Sequence, residues 1–297
     1  MIGLFRKPPV IQKARGMEGV IDRLAPKMQR AVQLAARAAQ RRIDLAALSA
    51  ALAMGRVSQA VRQLDLDRFT ASDLATVAQV LFEAQKAGQK IGTVKKGVAD
   101  TIGWALDVTN ELARKAAEVQ AARLLTAENL QVKQTVRGLI ERAYREQIPV
   151  PETARLIRDV IGLNDRQATA LFNYRAGLVE EEVDPTRMAR MTERYGDRLL
   201  RDRALTIAQT EVHRASAEGQ HDLWREGVRT GYINPAVARR YWIANAGACA
   251  WCEGVESLNA EGVLVDGQFD TPSGSSIDGP EDSHVSCRCS TRIDLEG

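Results

Sequence analysis

Cysteine is missing from the first 248 residues of this 297-residue chain, so no disulfide framework or thiolate metal site can form before residue 249. Histidine occurs three times, which leaves no Ser-His-Asp arrangement that can be argued from the sequence. No glycine-rich loop of the kind that cradles phosphates is present. Aromatic residues are scarce, at 5%, while alanine is abundant, a balance that favours helices packed through small side chains over a β-sandwich. No apolar run approaches the roughly eighteen residues of a membrane span. The opening Met1–Pro9 stretch is too short in apolar residues for a signal peptide and no cleavage-like segment follows. The chain is therefore expected to be made in a reducing cytoplasm and to have no membrane partner. It shows no internal repeat.

What is present begins with charge. Residues 1–60 hold 11 Lys and Arg against 3 Asp and Glu, whereas residues 245–297 hold 2 against 10, so a net charge of +3 conceals a basic start and an acidic end. The basic part could contact nucleic acid or an acidic protein surface, or simply be solvated helix faces; the acidic part should repel DNA.

Apolar spacing then predicts a mostly α-helical protein with a small α+β end. Residues 1–16, with Pro8-Pro9, read as an extended arm. A helical pattern begins near Gly19, with Pro26 kinking or starting it, and continues less cleanly to Gly55. Thr70-x-x-Asp73 reads as the cap of a second helix that stops at Gly88, and residues 93–147 as two helices divided near Thr126. Pro149 and Pro151 end an N-terminal helical region, 17–148. A central helical region, 149–231, has a short helix closed by Gly162, a capping box at Asn164 and Gln167, and a start signal at Asp184-Pro185 with a break expected at Gly196. Residues 232–297 read as a small domain with β-like stretches at 241–244, 262–269 and 288–295, around a loop at 271–276.

All four cysteines lie in that last segment. Cys249-x-x-Cys252 is followed after thirty-one residues by His284-x-x-Cys287-x-Cys289. A Cys-x-x-Cys turn places two thiolates near one tetrahedral ion, and a second Cys/His cluster can complete the shell, with zinc the expected metal. Four ligands are needed and five are offered, so Cys249, Cys252 and His284 with one of Cys287 or Cys289 is the favoured set. Two disulfides, or inert thiols, are the alternatives. A shell so rich in sulfur points to a structural staple and not to a catalytic centre.

The same stretch carries a resemblance. Arg240-Tyr241-Trp242-Ile243-Ala244 leading into Cys249-x-x-Cys252, with Ser283-His284-Val285-Ser286-Cys287-Arg288-Cys289, resembles the C-terminal signature of phage Mu F-like head morphogenesis proteins, the minor head proteins of tailed phages. Arg203-Ala204 through Thr210-Glu211 and Ala215 resembles the helix that precedes this signature, so the likeness covers about residues 150–295. Many members have proline flanking the His, where this chain has Glu281-Asp282-Ser283 and Val285. The resemblance implies a non-catalytic role in capsid assembly through contact with the portal, with the major capsid or scaffolding protein as further partners. It implies a place in the virion, in the head interior or at the portal vertex, after assembly in the host cytoplasm. Weak nucleic-acid contact through the basic N-terminus is the competing expectation.

An HNH-like nuclease with a zinc staple is the enzyme alternative. It would need histidines beyond His284, and His213 and His221 fall away from the apolar stripe of Leu205, Ala208, Val212, Ala215, Gly219 and Leu223 on a predicted helix, so both are expected at the surface. Glu211 lies at the edge of that stripe, where it could anchor to backbone or to an arginine of the following segment or be a plain exposed Glu; the resemblance, which includes the Thr210-Glu211 pair, favours the anchor. Trp224, Trp242 and Trp251 are expected to form the small domain's core.

Overall fold

A computed structural model describes residues 15–66, 71–92 and 99–295. The expected arm at 1–16 lies almost wholly outside these residues, as does Thr70 of the predicted cap. The described chain is mostly helical with a small C-terminal sheet region. Its helices are α1 (Arg15–Arg42), α2 (Leu45–Ala53), α3 (Val57–Arg62), α4 (Ala71–Gly92), α5 (Ala99–Arg145), α6 (Val150–Val160), α7 (Asp165–Glu180), α8 (Pro185–Arg229) and α9 (Ala250–Leu258).

Helix ends follow side-chain chemistry where it is available. Asp44 starts α2 by accepting hydrogen bonds from the Ala46 and Ala47 amides at 2.9 and 3.0 Å. Asn164 and Gln167 form the expected capping box on α7. Asp184 accepts from the Arg187 amide at 2.9 Å and Pro185 opens α8. Gly162, at φ 86°, takes the left-handed turn after α6.

Three expected breaks are absent, and Pro26 does not start its helix. Pro26 lies inside α1, α5 runs unbroken through Thr126, α8 continues past Gly196, and α4 passes Gly88 to end at Gly92. The reason is clearest at Gly88. A Cβ there would lie 1.7 Å from the Ser216 carbonyl oxygen, and one on Gly219 would lie 2.1 Å from that of Gln85. Both glycines let α4 and α8 cross with backbones in contact, so tertiary packing offsets their cost of about 1 kcal/mol each in a helix interior.

By spatial contact the chain forms two compact units, each discontinuous in sequence, and α1, α4, α5 and α8 contribute residues to both. One unit, of residues 26–79 and 118–208, has a core in which Leu48, Leu52, Val136, Ile140, Ile157, Leu171 and Phe172 are buried. Glu152 pairs there with Arg175, and Glu128 with Arg203.

The other unit, of residues 1–25, 80–117 and 209–297, carries the sheet. Strand β1 (Arg239–Ile243) lies between β2 (Val263–Leu264) and β5 (Ser290–Asp294), antiparallel to both, with Trp242 opposite Thr291. A hairpin of β3 (Phe269–Asp270) and β4 (Ser276–Ile277) is closed by the Thr271 amide donating to Ser275 O at 2.9 Å, so the 271–276 stretch is a hydrogen-bonded turn. Side chains alternate across β1, which puts Arg240 and Trp242 on its buried face. Trp242 and Phe269 are buried together with partly buried Trp251, as expected; Trp224 belongs to a separate cluster with Ile233, Ala238 and Val265 and donates from Nε1 to the Gly92 carbonyl at 3.1 Å.

Candidate metal centre

Cys249 sits at the N-cap of α9 and Cys252 in its first turn, so one helix start presents both sulfurs. His284 follows a 3-10 turn at Pro280–Asp282, and Ser286 takes a left-handed φ of 60° that folds the chain back toward Cys287. The Ser286 amide donates to Thr210 Oγ1 on α8 at 3.1 Å, fixing that turn. Cys289 immediately precedes β5. All five residues come together in two overlapping groups, Cys249–Cys252–His284 and Cys252–Cys287–Cys289, each with donor atoms within 4.8 Å of one another. None of the four cysteines is in a disulfide.

The separations fit a tetrahedral ion. With metal–sulfur and metal–nitrogen bonds near 2.3 and 2.05 Å, two ligating sulfurs stand about 3.8 Å apart and a sulfur and an imidazole nitrogen about 3.6 Å. Cys252 Sγ lies 3.9 Å from Cys287 Sγ, and His284 Nε2 lies 3.2 Å from Cys252 Sγ and 3.4 Å from Cys249 Sγ. His284 Nδ1 donates to the Val285 carbonyl at 3.1 Å, which fixes the tautomer that leaves Nε2 free to ligate. The cluster could therefore hold a metal ion. Its inner side is enclosed, with Cys252, Cys287 and Cys289 buried, and its outer side is open at Cys249 and His284. Trp251 meets His284 edge-on with ring centres 6.2 Å apart.

The electrostatics are those of crowded thiols. The Cys252 backbone N–H, and after it His284, hold the Cys249 thiol below its ordinary value. Burial pushes Cys252 up to about 12, with Cys287 close by adding to the effect. A bond from Cys289 brings Cys287 down to about 5, while that same bond and burial raise Cys289. Burial opposes a charged His284, yet the Val285 carbonyl and the neighbouring thiols hold its pKa above the ordinary value. One negative charge thus excludes the next, and a divalent cation is the counter-charge that lets several thiolates coexist.

His213 and His221 are not surface residues; both are buried. A single apolar stripe implied one buried face on α8, but this part of the helix is covered on two. Gly219 and Ser216 meet α4, while His213 Nε2 bonds the Cys289 carbonyl at 2.7 Å and Gln220 Nε2 donates to the Thr291 carbonyl at 3.0 Å. His221 joins a network the sequence reading missed. Arg240 Nη1 lies 2.8 Å from His221 Nε2, and because a guanidinium only donates, that nitrogen accepts; Nδ1 then donates to Glu281 at 2.9 Å. Burial works against the Glu281 carboxylate, but the bond from His221 keeps its pKa below the usual range. Arg240 also donates to the carbonyls of Asp278 and Gly267. The alternation of Arg240 with Trp242 on one strand was the available signal. Glu211 is buried and pairs with Arg214 on its own helix at 3.1 Å. Leu205, at the start of the stripe, is exposed.

Comparison with protein-family models, with curated proteins and with solved structures returned no match.

Proposed function

We propose that this chain is a minor head protein of a tailed phage, acting in capsid assembly through contact with the portal protein, with a structural zinc ion stapling its C-terminal segment. The observation that carries the reading is the convergence of the two halves of the signature. Cys249 and Cys252 meet His284 and Cys287 across a long connection, and the turn between the latter two is tied to Thr210 on the helix that precedes the signature in the resembling family. Zinc is the metal best suited to a mixed thiolate and imidazole tetrahedron. Cys287 is the better fourth ligand, because its sulfur stands at ligand distance from Cys252, with Cys289 as its hydrogen-bonding neighbour. Bound there, the ion would supply a cross-link and no chemistry at a substrate. Partners are accordingly proteins of the head, the portal first and the major capsid or scaffolding protein after it, and the location is the virion, at the portal vertex or in the head interior.

The nuclease alternative is weakened by the engagement of both ring nitrogens of His221 within the fold and by the burial of His213, whose Nε2 donates to the Cys289 carbonyl, away from any substrate in solvent. Co-expression with the portal protein tests the assembly reading. Co-purification in a stable complex is expected, and a portal that purifies without this chain under conditions where heads assemble would overturn it.

A further inference from the structure

The N-terminal half of α8 carries a second feature that the metal centre and the head-protein reading leave unused. Arg187, Arg190, Arg194, Arg198 and Arg201 are all exposed. They recur at intervals of three, four, four and three residues, so at 100° per residue they fall within an arc of about 80°, and at 1.5 Å per residue they form a row about 21 Å long. Among the described residues none of the five lies within ion-pair distance of a carboxylate; Arg198 stacks over the Tyr195 ring at 5.4 Å, and Arg190 turns back to the Thr186 carbonyl. The acids of this stretch do not neutralise the row. Glu193 and Asp202 lie about 80–100° to either side of its centre line. Asp197, at the edge, is engaged at 3.3 Å by Arg37 of α1, which brings another guanidinium beside the row.

Like charges one turn apart on a helix repel one another, so an uncompensated line of five is mildly unfavourable on its own. It is suited to an external polyanion. Guanidinium forks match phosphate oxygens, and charges repeated in a straight line match a polymer whose own charges repeat at short, regular intervals. An acidic protein partner would be expected to use apolar anchors as well, and no large apolar side chain is exposed between Val179 and Leu205. We infer that this arginine row on α8 is a docking site for the phosphate backbone of duplex DNA, independent of the metal centre and distinct from the basic N-terminal segment.

The test is binding of the full chain to a random 20-base-pair duplex, followed by anisotropy over a salt series. Replacing all five arginines by Gln, a good helix former, should weaken binding at least tenfold at about 100 mM salt. It should also flatten the dependence of log K on log salt by about 4.5 if all five contact phosphate, since each lost phosphate contact removes about 0.9. The five-Lys variant should keep most of the slope. The double variant Arg194→Glu with Arg198→Glu, checked for helicity and melting temperature, reports the same loss with only two substitutions. Unchanged affinity and slope in the folded Gln or Glu variants would overturn the inference. So would complete loss of DNA binding in an Arg6→Gln, Lys7→Gln, Lys13→Gln chain with α8 intact, or binding to polyglutamate as tight as to DNA at equal charge.

Discussion

Cys252 belongs to both groups of candidate ligands, so Cys252→Ser removes a donor whichever of Cys287 or Cys289 completes the shell. A metal bridging Cys252 and Cys287 closes a loop of 35 residues. The chain-entropy relation for a cross-link of that length gives about 4 kcal/mol at 25 °C, the stability the segment loses with its staple. A change of that size raises the open population several-hundred-fold, because each 1.4 kcal/mol is about a factor of ten. Native-state proteolysis reads it directly, with trypsin cutting after Arg288 or Arg292, which lie between and beyond the last ligands. The expected result is rapid clipping of residues 249–294 in the variant, together with unchanged hydrogen-exchange protection of the core around Ile140, Ile157 and Phe172. Equal clipping rates for the variant and the unaltered chain, with metal retained, would refute the cross-link.

Cys287→Ala should lower zinc affinity far more than Cys289→Ala in a competitive chelator titration; the reverse order would make Cys289 the fourth ligand. Gly88→Ala should destabilise the chain by about 2–3 kcal/mol in thermal or urea unfolding, as overpacking against the Ser216 carbonyl, 1.7 Å from the added Cβ, forces the helices apart. A neutral result would contradict the close crossing. Glu218 is pushed up to about 7, chiefly by burial and then by Asp222 and Glu281. A raised folded-state pKa means stability that is full below about pH 4.5 and lost as pH rises through 7. Glu218→Gln should therefore stabilise the protein by about 2 kcal/mol at pH 8, after discounting for partial exposure, and by much less at pH 5. Urea unfolding at the two pH values checks this, and an equal effect at both would be contrary.

Local chemistry was legible where a side chain acts on its own backbone or on a near neighbour. Asn164 with Gln167, Asp184 with Pro185, and the short strand around Trp242 are of that kind, and so is the meeting of Cys249, Cys252, His284, Cys287 and Cys289, because cysteine types at such spacings have few other uses. What could not be read is what depends on a partner distant in sequence. Gly88 looked like a helix stop because its need for a close Ser216 carbonyl is invisible along the chain. His213 and His221 looked exposed because a helical wheel shows one apolar stripe, whereas polar groups can bury a second face if each finds a bond, as His221 does between Arg240 and Glu281. Gly196 and Thr126 looked like breaks because propensity is a weak prior inside a long helix held by packing.

The most direct measurement is native mass spectrometry of the whole chain purified under reducing conditions without chelator, paired with X-ray absorption at the zinc edge. One zinc per chain in a shell of three sulfurs and one nitrogen is the expected result. Metal-free protein with Cys249, Cys252, Cys287 and Cys289 paired in disulfides, or a shell dominated by oxygen, would contradict a metal-stapled C-terminal segment.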